Sequence, residues 1–198
     1  MTTWTDASFL GGHPALDFVN TVAGRTKDRT VERLGEFVDA IDWAHAANVL
    51  DDDERENLRA RAERAPSEAS AALADLHTQR EALHAFLLAG VENTACEPAV
   101  RDRVKADIEA AYRDAHLSDR FRTQTAWVID PDEAGLHVLT RRLALTGAAL
   151  LTSEQRSQIA VCGRCSWLFL DPSPTRRRRW CSMATCGNRA KAQRHQRR

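Results

Sequence analysis

The sequence predicts a mainly α-helical N-terminal domain with a short β element, followed by a small C-terminal unit made of a β-hairpin and a helix. Three observations predict this arrangement. Apolar residues recur at helical spacing between residues 31 and 152, four of the five cysteines cluster after residue 160, and the charge changes sign near residue 153. Residues 1–152 carry 17 Lys and Arg against 26 Asp and Glu, whereas residues 153–198 carry 11 against 2. We therefore expect one domain over 1–152 and another over 153–198.

The composition excludes several classes of protein. The chain has 198 residues, of which 43% are hydrophobic and 28% are charged, and these values exclude collagen-like, low-complexity and wholly disordered chains. No apolar run reaches the roughly 18 residues that a membrane-spanning helix needs. Residues 1–6 also lack the cationic start and the apolar block of a secretory signal. The sequence therefore predicts a cytoplasmic protein with no membrane partner.

Helical patterning dominates the N-terminal domain, which is rich in Ala, Leu, Glu and Arg and poor in helix breakers. An acidic run at 51–54 favours a helix start, and Pro66 and Pro98 separate the helices that follow. The predicted helices span residues 31–47, 51–66, 67–90, 98–112 and 136–152. Residues 125–130 combine β-branched and aromatic side chains, so they predict a short strand, which we expect to pair near Phe121.

Two polar residues interrupt the apolar run near the N-terminus. Asp17 and Asn20 lie three residues apart and would share one face of a helix, which makes them candidate residues of a small-ligand site. A capping or core hydrogen-bond role is the more common one for such residues. His77 and His84 come without a third metal ligand at a suitable spacing, so we interpret them as helix-surface residues.

The N-terminal domain carries no catalytic motif that we recognise. The sequence lacks a Gly-rich phosphate loop, a G-x-S-x-G motif and an H-E-x-x-H motif. We therefore expect that the protein is not an enzyme. The alternative is an enzyme whose site lies near Asp17 and Asn20, although no base, nucleophile or catalytic metal ligand accompanies these two residues.

The chemistry is concentrated in four cysteines with the pattern C-x2-C-x15-C-x4-C, namely Cys162, Cys165, Cys181 and Cys186. Two close pairs separated by a spacer of this length are typical of a zinc site, because a structural Zn²⁺ takes four thiolates in tetrahedral geometry. Disulfides are disfavoured in a protein that is not secreted. The sequence predicts one structural zinc ion, with iron or redox chemistry as the alternative.

Short apolar segments surround the first cysteine pair. Residues 159–161 and 167–170 predict two strands of a hairpin with the metal at its tip, and Gly163 supplies backbone freedom to the turn between the two cysteines. A helix beginning after Cys186 completes a treble-clef-like plan. Trp167 and Trp180 are interpreted as packing around the metal. Because the segment holds little apolar material, we expect its folding to depend on the metal.

The C-terminal unit is strongly basic, which predicts contact with nucleic acid. Four arginines form a continuous run, and further basic residues recur at helical spacing on one face of the final helix, while the start of that helix could reach base edges. The predicted nucleic-acid-binding residues are Arg176, Arg177, Arg178, Arg179, Asn188, Arg189, Lys191, Arg194 and Arg198. The alternative is that some arginines screen the zinc–thiolate charge and the others are solvated.

These residues, in this order, resemble the CGNR zinc fingers of bacteria. The similarity covers residues 162–171, 178–183 and 186–191 and includes the tetrapeptide Cys-Gly-Asn-Arg at 186–189. Residues 12–21, which read Gly-His-Pro-Ala-Leu-Asp-Phe-Val-Asn-Thr, are similar to the opening of the ABATE domain that usually precedes this finger. The resemblance implies a stress-induced transcription regulator, with zinc on the four cysteines, a DNA-binding finger and an N-terminal module that senses a signal.

The sequence thus favours a zinc-dependent DNA-binding regulator whose N-terminal domain binds a small-molecule effector. A protein-binding or RNA-binding zinc module without sequence-specific DNA recognition is the alternative, because an arginine-rich face also suits an acidic protein surface or structured RNA. The helical body could also support a homodimer.

Overall fold

The structure is a computed structural model that describes residues 3–24, 26–119, 122 and 126–196, and for Arg194 and His195 it describes only the backbone. Within these residues a helical body carries short two-stranded antiparallel hairpins, and the C-terminal hairpin packs on the body. The mainly helical fold with a short β element and a C-terminal hairpin and helix is confirmed. No helix among the described residues is both long enough and apolar enough to cross a bilayer.

The chain begins with a short helix, α1 (Pro14–Val19). His13 caps it, since its Nδ1 accepts a hydrogen bond from Ala15 N–H at 3.2 Å, and Pro14 fits the first helical position because its missing N–H would have no partner there. Strand β1 (Val22–Ala23) follows directly and pairs with β2 (Val31–Glu32).

The prediction of a helix from residue 31 is wrong at its start, because residues 31 and 32 belong to β2. The Glu32 carboxylate accepts hydrogen bonds from the N–H groups of Arg33 and Leu34 at 3.0 and 2.8 Å, and this local turn keeps the segment out of a helix. The helix begins instead at Phe37, where Glu36 N–H donates to the Asp39 carboxylate at 3.0 Å.

The remaining helices of the body are α2 (Phe37–Ala46), α3 (Asp52–Arg64), α4 (Pro66–Glu92), α5 (Pro98–Asp114), α6 (Pro131–Ala134) and α7 (Val138–Thr152). Apart from the start of α2, these agree with the predicted helices to within two residues at each end, except for the short helix α6, which is not predicted from the sequence. Asp51 caps α3 by accepting from Glu54 N–H at 2.9 Å. Asn93 ends α4 in the left-handed conformation, with φ of 52°.

Strand β4 (Trp127–Ile129) confirms the predicted strand over 125–130, but its partner is β3 (Ala115–Leu117), which continues directly from α5. Leu117 lies opposite Trp127 in the register. The expected partner, Phe121, lies outside the described residues. Strand β3 directly follows α5, so its antiparallel pairing with β4 holds β4 beside the end of that helix.

The core of the body forms where α1, α2, α4 and α7 meet. Phe18 and Trp43 are almost fully buried, and their rings lie 5.6 Å apart. The last hairpin, β5 (Ile159–Val161) with β6 (Leu168–Leu170), contributes Leu168 and Leu170 to this same core. The C-terminal unit is therefore packed on the body and shares its hydrophobic core.

Candidate zinc centre and basic surface

The four predicted cysteines meet at one point beside the β5–β6 hairpin. All are unbridged and at most 4% exposed, and their Sγ atoms lie within 4.8 Å of one another. The Cys165–Cys181 and Cys181–Cys186 Sγ distances are both 3.7 Å. That distance far exceeds a disulfide bond of about 2.05 Å, and it matches the edge of about 3.8 Å of a tetrahedron with Zn–S bonds of about 2.3 Å.

These thiols fit one structural zinc ion, because four soft sulfur donors in a buried cluster form the closed ligand set of such sites. Hydrogen bonds from the Cys165 and Cys181 thiols lower the pKa of Cys162, whereas hydrogen bonding with Cys162 and Cys165 and burial raise the pKa of Cys181. Four thiolates this close together would repel one another, and a bound divalent cation would offset their negative charge.

Two turns and one helix hold the ligands. Cys162 follows β5, and its N–H donates to Trp167 O at 2.9 Å, which closes the first turn. Cys186 lies in a wide helical turn (Met183–Gly187) that leads into α8 (Asn188–Gln196). This order of hairpin, ligand turn and helix is the treble-clef-like plan that the sequence predicts.

Gly163 is needed for space and not for an unusual backbone angle. A Cβ at this position would lie 3.1 Å from Trp180 Cζ3 and 3.2 Å from Arg179 O, and among the described glycines only Gly12 and Gly135 have positive φ. The predicted reason, backbone freedom, is therefore wrong. Trp180 packs against both ligand turns, as expected for a side chain around the metal, because a Cβ at Gly187 would also approach it within 3.3 Å.

Helix α1 attaches the zinc unit to the body through Asn20. This residue is 1% exposed, donates from Nδ2 to Leu168 O at 2.8 Å, and accepts from Leu168 N–H at Oδ1 at 3.0 Å. Beside it, Leu170 N–H donates to Gly11 O at 2.8 Å. The N-terminal segment thus satisfies the backbone groups of β6 that β5 leaves unpaired, in the manner of a further strand.

Asp17 supports the same attachment from inside α1. Its Oδ1 accepts from Gly11 N–H at 2.7 Å, and burial raises the pKa of Asp17 to about 6 despite that hydrogen bond. Asp17 lies in α1 and Asn20 directly follows it, and both side chains make internal hydrogen bonds to the backbone. The geometry favours the core hydrogen-bond role for this pair over the ligand-binding role.

Further contacts from the body reach the first ligand turn. Trp167 Nε1–H donates to Val22 O at 3.0 Å, Lys27 Nζ donates to Cys162 O, and His84 Nε2 lies 3.0 Å from Ser166 O. His84 is 6% exposed, so its interpretation as a helix-surface residue is wrong. Only its place on the inward face of α4, between the buried residues Leu83 and Leu87, could have suggested this.

Two of the four arginines in the predicted run make hydrogen bonds within the protein. Arg178 lies 4.4 Å above the Phe169 ring and donates to the carbonyls of Trp180, Cys181 and Leu170. Arg176 donates to Ser157 O at 2.6 Å. These two guanidinium groups hold the loop around the zinc centre, so the structure does not present them as free cations.

Other predicted contacts face solvent. Arg177, Arg179, Arg189 and Lys191 are exposed, and their side chains form no hydrogen bond or ion pair within the part of the chain that the structure describes. Arg179 lies 4.9 Å over the Trp180 ring. We call these four residues the basic surface.

The basic surface leaves out three of the predicted residues. Asn188 is exposed at the start of α8, and its Nδ2 donates to Ala184 O at 3.2 Å. The backbone of Arg194 lies in α8, and Arg198 lies outside the described residues.

Comparison with family models finds two matches in the order that the sequence predicts. Residues 12–154 match ABATE, described as "Putative stress-induced transcription regulator", and residues 158–198 match the CGNR zinc finger. A search of curated proteins finds no match. Since the first match covers well over half of the 198 residues, and the buried four-cysteine cluster lies within the second match, the chain belongs to the ABATE family and carries a CGNR zinc finger.

Proposed function

We propose that this protein is a zinc-dependent DNA-binding regulator and not an enzyme, in which the finger contacts DNA and the N-terminal domain binds a small-molecule effector. The observation that carries the proposal is the basic surface: Arg177 and Arg179 are exposed in the loop before Cys181, and Arg189 and Lys191 are exposed in α8 after Cys186. Arginine and lysine at such positions neutralise phosphates and release counterions, which drives binding to DNA.

The charge of the chain supports a polyanionic partner. Residues 153–198 carry 11 basic residues against 2 acidic ones, and a zinc ion with four thiolates subtracts only two charges from that excess. The body is acidic, with 26 acidic residues against 17 basic ones, so attraction to DNA is confined to the finger. This asymmetry would orient the protein as it approaches the duplex.

The free thiols support a reducing place of action, and the proposed location is the cytoplasm. All of the cysteines are unbridged, and reducing conditions keep thiolates available for metal. The homodimer stays a prediction, since no contact between copies is described.

The test is the salt dependence of DNA binding, measured by fluorescence anisotropy with a labelled duplex of random sequence and zinc-loaded protein. Each phosphate contact contributes about 0.9 to the slope of log affinity against log salt. We expect Arg177→Gln and Arg189→Gln each to reduce that slope by about 0.9. The matched control is Arg101→Gln, which removes a 60% exposed arginine from the body and should leave the slope unchanged.

Two outcomes would refute this function. Zinc-loaded protein that shows no salt-dependent DNA binding would remove it, and so would an Arg101→Gln slope change equal to that of the finger variants. Tighter binding to structured RNA, or to a protein in a nuclease-treated pull-down, would favour the alternative module. If DNA binds, selection from random duplexes would reveal the target sequence.

A further inference from the structure

A cavity of about 690 Å³ opens in the body between α7, strand β4 and the loop after α2. Its volume lies in the range of about 300–1,000 Å³ that small-molecule sites occupy. Neither the zinc centre nor the basic surface contributes to its walls. Small and aliphatic side chains, among them Ala47, Val49 and Leu145, form much of the lining.

Two aromatic rings stand at the cavity. Tyr112 and Trp127 pack edge to face, with ring centroids 5.3 Å apart and an angle of 84° between the planes. Both line the cavity and are 41% exposed. Large aromatic surfaces left open to solvent beside a cavity favour a ligand with an aromatic ring, because such a ring would bury them and gain edge-to-face or stacked contacts.

The charged groups in the wall cancel each other. Arg142 Nη2 lies 2.6 Å from Glu54 Oε1, and Arg142 also donates to the carbonyl groups of Val49 and Ile129. The hydrogen bonds from Arg142 hold the pKa of Glu54 below its usual value despite burial, so the pair stays ionised with zero net charge. A wall of this kind offers no unpaired charge to an ionic ligand, which favours an uncharged one.

The His13 ring offers a polar group to a ligand. Ala15 N–H donates to His13 Nδ1, so Nδ1 carries a lone pair and the proton of the neutral ring is on Nε2. Burial lowers the pKa of His13, which keeps the ring neutral near pH 7. Because His13 lines the cavity, its Nε2–H is the candidate hydrogen-bond donor to a ligand.

We propose that this cavity binds a small, uncharged, planar aromatic molecule that carries a carbonyl-type acceptor, with its ring against Trp127 and its acceptor on His13 Nε2–H. The inference rests on the proposed function in one respect: the bound molecule is an effector only if the protein is a regulator. Its geometry does not depend on DNA.

The probes are coumarin, an uncharged bicyclic lactone with a carbonyl acceptor, and naphthalene, a hydrocarbon of similar shape without an acceptor. Their binding to the zinc-loaded full chain is measured by saturation-transfer NMR and by titration of tryptophan fluorescence, without DNA. We expect both to bind, and coumarin to bind about 3- to 10-fold more tightly, which is the effect of one neutral hydrogen bond.

Two variants separate the contributions. His13→Asn keeps an oxygen acceptor for the cap of α1, and its shorter side chain holds its own N–H donors short of the Nε2 position, so the preference for coumarin over naphthalene should disappear. Ala149→Phe places a ring in the cavity from an exposed lining position and should abolish binding of both probes. Val31→Ala, at a 51% exposed residue of β2 that does not line the cavity, is the control and should bind like the unchanged protein.

The proposal is overturned if the unchanged protein binds neither probe, if Ala149→Phe binds them normally, or if His13→Asn keeps the coumarin preference. Failure of this site and failure of the proposed function can be told apart. If the protein binds coumarin but not DNA, the cavity site is supported and the proposed function is refuted. If it binds DNA but neither probe, the proposed function is supported and the cavity site is refuted.

Discussion

Replacing Asn20 with alanine should weaken the attachment of the finger to the body, because one side chain makes both hydrogen bonds to Leu168. The residue is 1% exposed, and its amide satisfies Leu168 O at 2.8 Å and Leu168 N–H at 3.0 Å. Asn20→Ala leaves two buried backbone groups without partners, at a cost of about 1–3 kcal/mol each. The expected loss is about 2–6 kcal/mol, a large part of the roughly 5–15 kcal/mol that stabilises a typical protein.

The assay is urea unfolding of the zinc-loaded protein followed by tryptophan fluorescence, together with the rate of zinc transfer to a chromophoric chelator. Asn20→Ala should lower the unfolding midpoint and accelerate zinc transfer. Asn57→Ala removes an exposed asparagine from α3 and should change stability by at most about 0.7 kcal/mol. A loss below about 1 kcal/mol for Asn20→Ala, or zinc transfer at the unchanged rate, would refute the attachment that we describe.

Three further predictions concern the same interface. Burial raises the pKa of Asp17 to about 6, so the folded state holds a proton that the unfolded chain releases near pH 4, and stability falls as pH rises between these values. In urea unfolding, Asp17→Asn should therefore be more stable than the unchanged protein by up to about 3 kcal/mol at pH 7 and equally stable at pH 3. Equal stability of the two proteins at both pH values would contradict this. His84→Phe should cost about 1–3 kcal/mol by leaving Ser166 O unpaired, and His84→Gln less; identical losses would contradict the hydrogen bond. Chelation of zinc should unfold the finger and destabilise the body, as measured by amide exchange, since Leu168 and Leu170 belong to the main core; unchanged protection of the body would contradict this.

The zinc ligands can be predicted from sequence because the spacing of Cys162, Cys165, Cys181 and Cys186 reflects a local chemical requirement. Two ligands from one tight turn and two from another define the site without knowledge of the rest of the fold. Most helices of the body are predictable for a similar reason, since apolar spacing and proline positions are local signals. The start of α2 is an exception, because the side chain of Glu32 sets a turn that helical periodicity does not reveal.

The attachment of the finger could not be predicted, because it joins residues that are distant in sequence. Asn20 and Leu168 are separated by 148 positions, and His84 and Ser166 by 82. A polar residue in an apolar run indicates a partner but does not identify it, so Asn20 fits a ligand site as well as a core hydrogen bond. The arginine run is ambiguous in the same way, since only the tertiary structure distinguishes Arg178, which is bound to carbonyls, from Arg177.

Helix α1 has only six residues, about 9 Å of length at 1.5 Å per residue, and its two ends lie at two different sites. His13 at its N-terminal end lines the cavity, and Asn20 at its C-terminal end forms hydrogen bonds with Leu168 of the finger. A rod this short transmits a tilt from one end to the other without bending. If an occupant of the cavity tilts it and thereby alters the finger's affinity for DNA, reciprocity requires that DNA alter the affinity for that occupant by the same factor.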